Sequence, residues 1–235
     1  IMKVVEETEM KCVALIPMKA NSERVPGKNF KEFAGKPLYK HILDSLLSVR
    51  NIEKIVINTD ARPILELTGL AESDRILIRD RRNDLCGDFV SMNEIIADDV
   101  ASVHADCYLM THTTNPLVSP LTISNALTTY QKAVSLGVND SLFTVNKFQT
   151  RFYKKNGGAI NHDPNNLIRT QDLEPWYEEN SCLYIFSAES FRKTNARIGQ
   201  DPLLFEIPKI QAIDIDTHED WAHAEILAKS GVINA

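Results

Sequence analysis

Short runs of β-branched and aliphatic residues alternate along the chain with longer stretches whose apolar positions recur every three or four residues. KCVALIP (11–17) is an apolar run closed by proline, the pattern of a strand buried on both faces. In PLYKHILDSLLSV, Leu38, Ile42, Leu46 and Val49 share one helical face, and Pro37 suits the first helical position. IEKIVINT (52–59) predicts a second strand, residues 63–70 a short helix, and RILI (75–78) a third strand. The polar loop DRRNDLCGDF leads into a helix over 91–103. DCYLMTH (106–112) reads as a central strand, PLTISNALTTYQKAVSL (120–136) as a helix and SLFTVNK (141–147) as another strand. CLYIFS (182–187) and AIDID (212–216) are the last expected strands. THEDWAHAEILAKS closes the chain as a helix, with Thr217 and Asp220 as a capping box.

Strands alternating with helices of this length imply right-handed crossovers and an α/β fold: a Rossmann-like, mostly parallel sheet covered by helices. Between 147 and 180 the rhythm breaks. FQTRFYKKNGGAINHDPNNLIRTQDLEPWYEEN is polar and aromatic, with a hairpin-like turn at 156–158. It reads as an insertion within a single domain spanning 1–235. Phe148, Phe152, Tyr153, Trp176 and Tyr177 give it aromatic surface that no predicted core layer uses, which suits either a homodimer contact or a lid over the chain's own site. In such a sheet, ligands bind beyond the carboxyl ends of the strands. The rim there carries the loop after 17, the loop after 78, the loop after 110 and the end of AIDID.

Composition narrows the classes. With 235 residues and 43% hydrophobic content the chain can bury a full core. A net charge of −6 argues against nonspecific nucleic-acid binding, so an anionic ligand needs a local basic cluster. No apolar stretch approaches the ~20 residues of a membrane span, and no secretory leader pattern is present. Cys12, Cys86, Cys107 and Cys182 lack C-x-x-C spacing, and three sit in apolar runs, which leads to an expectation of reduced thiols in a cytoplasmic protein. The opening IMKVVEETEMK is expected to be a short disordered arm.

The basic cluster exists. LIPMKANSERVPGKNF follows the first strand, and between Lys19 and Lys40 six basic residues face two acidic ones. The loop is not a P-loop: Asn29 stands where Ser or Thr is needed, and the earlier glycine is missing. No G-x-G-x-x-G follows a strand. HEDWAH spaces its histidines by five residues, about 140° apart on a helix, so it reads as surface helix rather than a zinc site. Asp214 and Asp216, two apart on a strand, would face the rim together while Ile213 and Ile215 face the core. Two carboxylates above a basic loop suit Mg²⁺, which takes oxygen ligands and shares them with phosphates. The plainer alternative has Asp216 starting a turn and Asp214 pairing with a lysine.

These residues resemble the acylneuraminate and keto-deoxyoctulosonate cytidylyltransferases, whose opening loop is written IPAR-x-x-S-x-R-x-P-x-KN. The resemblance continues in order through INTD (57–60), RRNDLCGD (81–88), TTNPL (113–117), RTQDLEP (169–175), NSCLYIF (180–186) and IDIDT (213–217). It implies transfer of CMP from CTP to the anomeric hydroxyl of a 2-keto-3-deoxy sugar acid, with release of pyrophosphate and with Mg²⁺ as cofactor. It implies that Lys19, Asn21, Ser22, Arg24 and Lys28 wrap the CTP phosphates, and that Asn29 and Arg81 lie near the cytidine. Lys28, Arg24 and Asp216 carry catalysis, and Asp214 and Asp216 hold the metal. His112, Thr114, Asn115, Arg169, Gln171 and Asn180 meet the acceptor, Arg169 through its carboxylate, and His112 is a candidate for deprotonating the hydroxyl. Residues 147–180 form the dimerisation insertion. The partners implied are CTP and a sugar acid, not nucleic acid or membrane. Physical logic runs the same way, since about four phosphate charges need clustered cations and a metal.

The chain departs from the pattern at Lys19 (for arginine), His112 (for glutamine), Asn115 (for serine) and Val118 (for arginine), and Met92 replaces a small hydroxyl residue near the base. Most of these changes fall on the acceptor loop and bear on which acid fits. The alternatives are a nucleotidyltransferase of the same fold with a different acceptor or nucleotide, a glycosyltransferase with a D-x-D metal site, whose motif normally lies mid-chain, and a non-catalytic nucleotide-binding module.

Overall fold

The computed structural model describes residues 10–231; residues 1–9, most of the expected polar arm, lie outside them. The chain opens with strand β1 (Cys12–Met18), every residue of it buried. A two-residue hairpin, β2 (Glu32–Phe33) and β3 (Lys36–Pro37), leads into helix α1 (Leu38–Leu47). Then come β4 (Ile52–Thr59), α2 (Arg62–Leu67), β5 (Ile76–Asp80), α3 (Met92–Ser102) and β6 (Cys107–Thr111). The second half contains α4 (Pro120–Ser135), β7 (Ser141–Phe148), β8 (Trp176–Phe186), α5 (Ala188–Thr194), β9 (Pro202–Glu206) and α6 (His218–Ser230).

Seven strands make one sheet in the order β5-β4-β1-β6-β8-β7-β9. The β5-β4-β1-β6 part is parallel, β8 runs antiparallel between β6 and β7, and β9 lies parallel to β7 at the edge. The expected Rossmann-like, mostly parallel sheet is therefore present. Its two faces bury separate clusters. Ala14, Ile16, Ile57 and Leu109 pack with Ile42 and Leu46 of α1 and Ile123 and Leu127 of α4. Val13, Leu15, Val56 and Met110 pack with Ile96 and Val100 of α3. This is the period-two alternation of a strand covered on both sides. The helical face read from Leu38, Ile42, Leu46 and Val49 is buried throughout, with Pro37 at the N-cap, one place before the expected position.

Three differences have physical causes. AIDID is not a strand: residues 212–216 form an irregular segment after a 3₁₀ turn at Lys209–Gln211, and the Ile215 N–H bonds to Thr114 O (2.9 Å) instead of joining the sheet. The edge strand β9, PLLFE, opens on a proline that needs no ladder bond at that end and carries too short an alternation to stand out. Helix α5 is one short turn pair capped by Ser187, below the length at which periodicity is legible.

The insertion at 147–180 grows from β7 and β8, which stay paired beyond the core from Val145–Glu179 to Phe148–Trp176. Phe143 faces Tyr184 but Val145 faces Glu179, so β8 carries extra residues there, and Ser181 in that bulge adopts a positive φ of 60°. Farther out, Tyr153 bridges Ala159 across the expected turn.

The capping box of α6 is formed: Thr217 Oγ1 accepts from Asp220 N, and the Asp220 carboxylate accepts from Thr217 N (2.7 Å) and Asp216 N (3.1 Å). Thr217→Ala is expected to lower stability by about 1 kcal/mol, measured by chemical denaturation with an unchanged m-value.

Candidate active site

The opening loop is held from three directions. Its apolar anchor is Val25, buried with Phe33, Leu38, Leu117, Ile215, Trp221 and Ala224 in a third cluster beneath α6. Its turn closes through Phe30 N to Gly27 O (3.0 Å), with Gly27 at φ 62°, a region a side chain disfavours. Its far end is pinned by Asn29, which is buried: Nδ2 donates to Lys19 O (2.8 Å), Oδ1 accepts from Thr113 Oγ1 (2.6 Å), and the backbone O accepts from Tyr39 N (3.1 Å). Asn29 thus spans the loop, α1 and the loop after β6.

Lys28 is the most enclosed cation of the cluster. Its Nζ donates to Ile215 O (2.7 Å) and reaches Asp216 Oδ1 (3.3 Å), while Arg24 Nη2 lies 3.1 Å from Asp216 Oδ2. Lys19 pairs across the cleft mouth with Asp88 (2.7 Å). Every one of these three cations has a carboxylate partner that a phosphate could replace. Asp214, beside them, has its carboxyl pushed up by burial, with Thr114 opposing and Asp216 adding to the rise. Its Oδ1 is buried with no hydrogen-bond partner. A carboxylate oxygen left bare next to a second carboxylate fits a hard cation that takes one or two protein oxygens and completes its shell with phosphate and water. Among the described residues no cluster of three or more potential metal-ligating side chains exists, so any metal here depends on the substrate for its remaining ligands.

Arg81 enters from the loop after β5. Its Nε donates to Asn58 Oδ1 (3.0 Å), and its Nη2 to Asn58 O (2.8 Å) and Met18 O (3.3 Å). Burial lowers its pKa, with Asp60, Cys86 and Asp99 pulling back, yet a guanidinium remains charged. The 81–88 stretch that follows contains a 3₁₀ turn at Asn83–Leu85.

Lys19, Ser22, Lys28, Asn29, Arg81 and His112 line one cleft of about 190 Å³, whereas Arg24, Asp214 and Asp216 are not among its walls and connect to it through Lys28, which pairs with Asp216. Met92 and Thr114 line it too. It opens above β1 and β6, where the strand order reverses: β4 and β5 lie on one side of β1 and β6 on the other. His112 has its imidazole pushed down to about 4, chiefly by burial, then by the nearby Arg197 and Lys28 cations.

Other residues expected at the site lie elsewhere. Asn21 is exposed on the opening loop. Asn115 is buried and donates to Ile213 O (3.3 Å), tying down the aspartate segment, and Val118 is part of the main core. Asn180 is buried in the β8 bulge, accepting from Thr144 Oγ1 (2.6 Å) and donating to Asn146 Oδ1 (3.2 Å). Arg169 makes a two-toothed pair with Asp172 in its own turn (2.7 and 3.0 Å), and Gln171 lends its carbonyl to Gln149. Neither borders the cleft within one chain. Sequence reasoning missed Thr113, Asp88 and Asn58, all three inside motifs already noted, TTNPL, RRNDLCGD and INTD.

A family described as "Cytidylyltransferase" matches residues 13–226. The chain is 28% identical over 231 residues to a CMP-N,N'-diacetyllegionaminic acid synthase of Legionella pneumophila, covering 93% of this chain and 96% of that one. It is 24% identical to a pseudaminic acid cytidylyltransferase of Campylobacter jejuni, covering 94% and 97%. Among solved structures, a CMP:2-keto-3-deoxy-manno-octonic acid synthetase complexed with CTP superposes with a TM-score of 0.64 at 15% identity, covering 94% of this chain and 100% of that one, a likeness of fold.

The site makes a pH prediction. An unfolded imidazole titrates near 6.5, whereas His112 does so at about 4. Between those values the unfolded chain binds a proton that the folded chain refuses, so His112 removes stability as pH falls. Asp99, raised to about 6, acts oppositely over the same range because the folded chain takes up its proton first. His112→Leu should therefore lose less melting temperature than the wild type between about pH 7 and about pH 4.5. Parallel curves would show that His112 is not held neutral.

Proposed function

The chain belongs to the cytidylyltransferase family, and from that premise we propose that it transfers CMP from CTP to the anomeric hydroxyl of a nonulosonic acid, releasing pyrophosphate. The relatives named for legionaminic and pseudaminic acids support this acceptor class. The observation that carries the reading is the meeting of Arg24 and Lys28 on Asp216, near the bare Asp214 oxygen, with Lys28 also bordering the cleft. In the reaction the acceptor oxygen attacks the α-phosphorus, a new P–O bond forms, the bond to the β-phosphate oxygen breaks, and pyrophosphate carries the electron pair away. The protein's task is positioning and charge neutralisation. Lys28, Arg24 and Lys19 exchange their carboxylate partners for phosphate oxygens, Ser22 adds a hydroxyl donor, and Asn29 and Arg81 meet the nucleoside. Asp214 and Asp216 would hold Mg²⁺, which supplies charge stabilisation on the transferring phosphoryl group. His112, neutral at physiological pH, can accept a hydrogen bond from the attacking hydroxyl, although its low basicity makes it a weak proton acceptor.

We also propose that the protein acts as a homodimer. The insertion exposes Tyr153, Ile160, Leu167, Ile168, Trp176 and Tyr177 together, an apolar surface that a second copy would cover. Arg169, which does not border its own chain's cleft, would then reach the partner's acceptor site.

Pyrophosphate release from each of the four nucleoside triphosphates, with a panel of legionaminic, pseudaminic, N-acylneuraminic and octulosonic acids, tests the assignment. Turnover with CTP and one nonulosonic acid is expected; equal rates with all four triphosphates would sink it. Asp216→Asn should lower turnover at least a hundredfold, about 3 kcal/mol of transition-state stabilisation, with the fold intact by circular dichroism. Arg169→Ala should raise the acceptor's KM with little change for CTP. A monomeric mass by light scattering at micromolar concentration would remove the dimer.

A further inference from the structure

Behind Arg81 runs a chain of polar groups through the core. Asn58, near the end of β4 and fully buried, gives its Oδ1 to Arg81 Nε (3.0 Å) and donates its Nδ2 to Asp99 Oδ1 (2.8 Å). Asp99 sits on α3, fully buried between Ile95, Ile96 and Val100. It also receives Arg79 Nη1, while Arg79 Nη2 reaches Asp98 Oδ2 (2.8 Å) and Ser102 Oγ (2.7 Å). The other oxygen, Asp99 Oδ2, is buried with no partner.

An ionised group at that depth, with one oxygen unpaired, costs stability that an apolar side chain would not. Its return is chemical. A primary amide has a carbonyl edge and an NH₂ edge of nearly equal shape, and which edge faces a neighbour is set by what the other edge must meet. A carboxylate only accepts hydrogen bonds. Facing Asp99, Asn58 must present its NH₂, and this turns its carbonyl toward Arg81. Arg81 is then held through Nε and Nη2, both bonded to Asn58, and its plane is fixed at the cleft wall.

We propose that Asp99 is a positioning residue for nucleotide binding: through the Asn58 amide it sets the orientation of Arg81. The inference rests on the reading that Arg81 contacts the nucleotide. Arg79 pairs with Asp99 from the far side, and the role proposed for Asp99 is the orientation it imposes through Asn58. Asp99→Asn keeps the volume and offers Asn58 both a donor and an acceptor, so the Asn58 amide is free to turn over and Arg81 loses its Nε partner.

The test is calorimetric CTP binding with Mg²⁺ for the wild type, Asp99→Asn, Arg81→Ala, the Arg81→Ala/Asp99→Asn double variant and the Asp99→Leu/Arg79→Met double variant. Arg81→Ala is expected to weaken CTP, and Asp99→Asn to weaken it about tenfold. In the Arg81→Ala background Asp99→Asn should add nothing, which a merely structural role would not produce. In steady state the effect should fall on the KM of CTP and leave the acceptor's KM alone. Asp99→Leu/Arg79→Met removes both charges together and so keeps a foldable core, yet it should bind CTP as weakly as Asp99→Asn. Wild-type affinity in Asp99→Asn, or additive losses in the Arg81 double variant, would overturn the proposal while leaving Arg81 as a nucleotide contact. If Arg81→Ala alone binds CTP as the wild type does, the reading of Arg81 fails, and the proposal with it.

Discussion

One residue, Ile215, ties the site together. Its side chain is buried with Val25, Phe33, Leu38, Leu117, Trp221 and Ala224, so the opening loop, the β2–β3 hairpin, the loop after β6 and α6 share one apolar anchor. Its N–H is bonded to Thr114 O and its carbonyl receives Lys28 Nζ. Aspartates stand on either side of it. Because Ile215 is fixed at the side chain and at both backbone polar groups, Asp214 and Asp216 are held against the opening loop without belonging to the sheet. Truncating its side chain would open a cavity at the point where the opening loop, the hairpin, α1, the loop after β6 and α6 meet.

The charge pattern follows from that anchorage. An acidic chain gathers Lys19, Arg24 and Lys28 on one rim and neutralises each with a carboxylate. These pairs are mostly solvent-exposed and add little to stability. Their consequence is positional: each carboxylate holds a long cationic side chain in one place on the rim. Asp216 serves two cations at once, so a divalent ion on the aspartates and phosphates on Arg24 and Lys28 would satisfy every group by exchange, with little net change in charge. The same principle operates deeper in the chain at Asp99, where the carboxylate orients an amide.

The insertion is built differently. The bulge in β8 buries Asn180 between Thr144 and Asn146 and lifts the paired ends of β7 and β8 away from the core, carrying an apolar surface with them. Tyr153, Trp176 and Tyr177 remain exposed on it, whereas Phe148 and Phe152 are half-buried. Phe152 stacks on Trp176 (5.3 Å between ring centroids), which stiffens the arm without covering it.

Periodicity alone determined most of the fold. The fully apolar runs at β1 and β6, the alternation in β4 and the single apolar face of α1 each admit one buried solution, and the rim where they end was marked by the unusual polar loops. The cation-rich opening loop, the aspartate pair and the capping box at Thr217 were legible because each depends on neighbours within a few residues. Asp214 and Asp216 do flank a buried isoleucine, but the strand expected to carry them is an irregular segment held by Thr114 and Asn115, contacts about a hundred residues away in sequence. Likewise the meeting of Asn58 with Asp99 was silent in sequence, since a polar residue in an apolar strand or helix has no partner until the sheet and α3 come together. Local patterns settle which faces are buried; which polar groups meet across those faces is decided only when the elements pack.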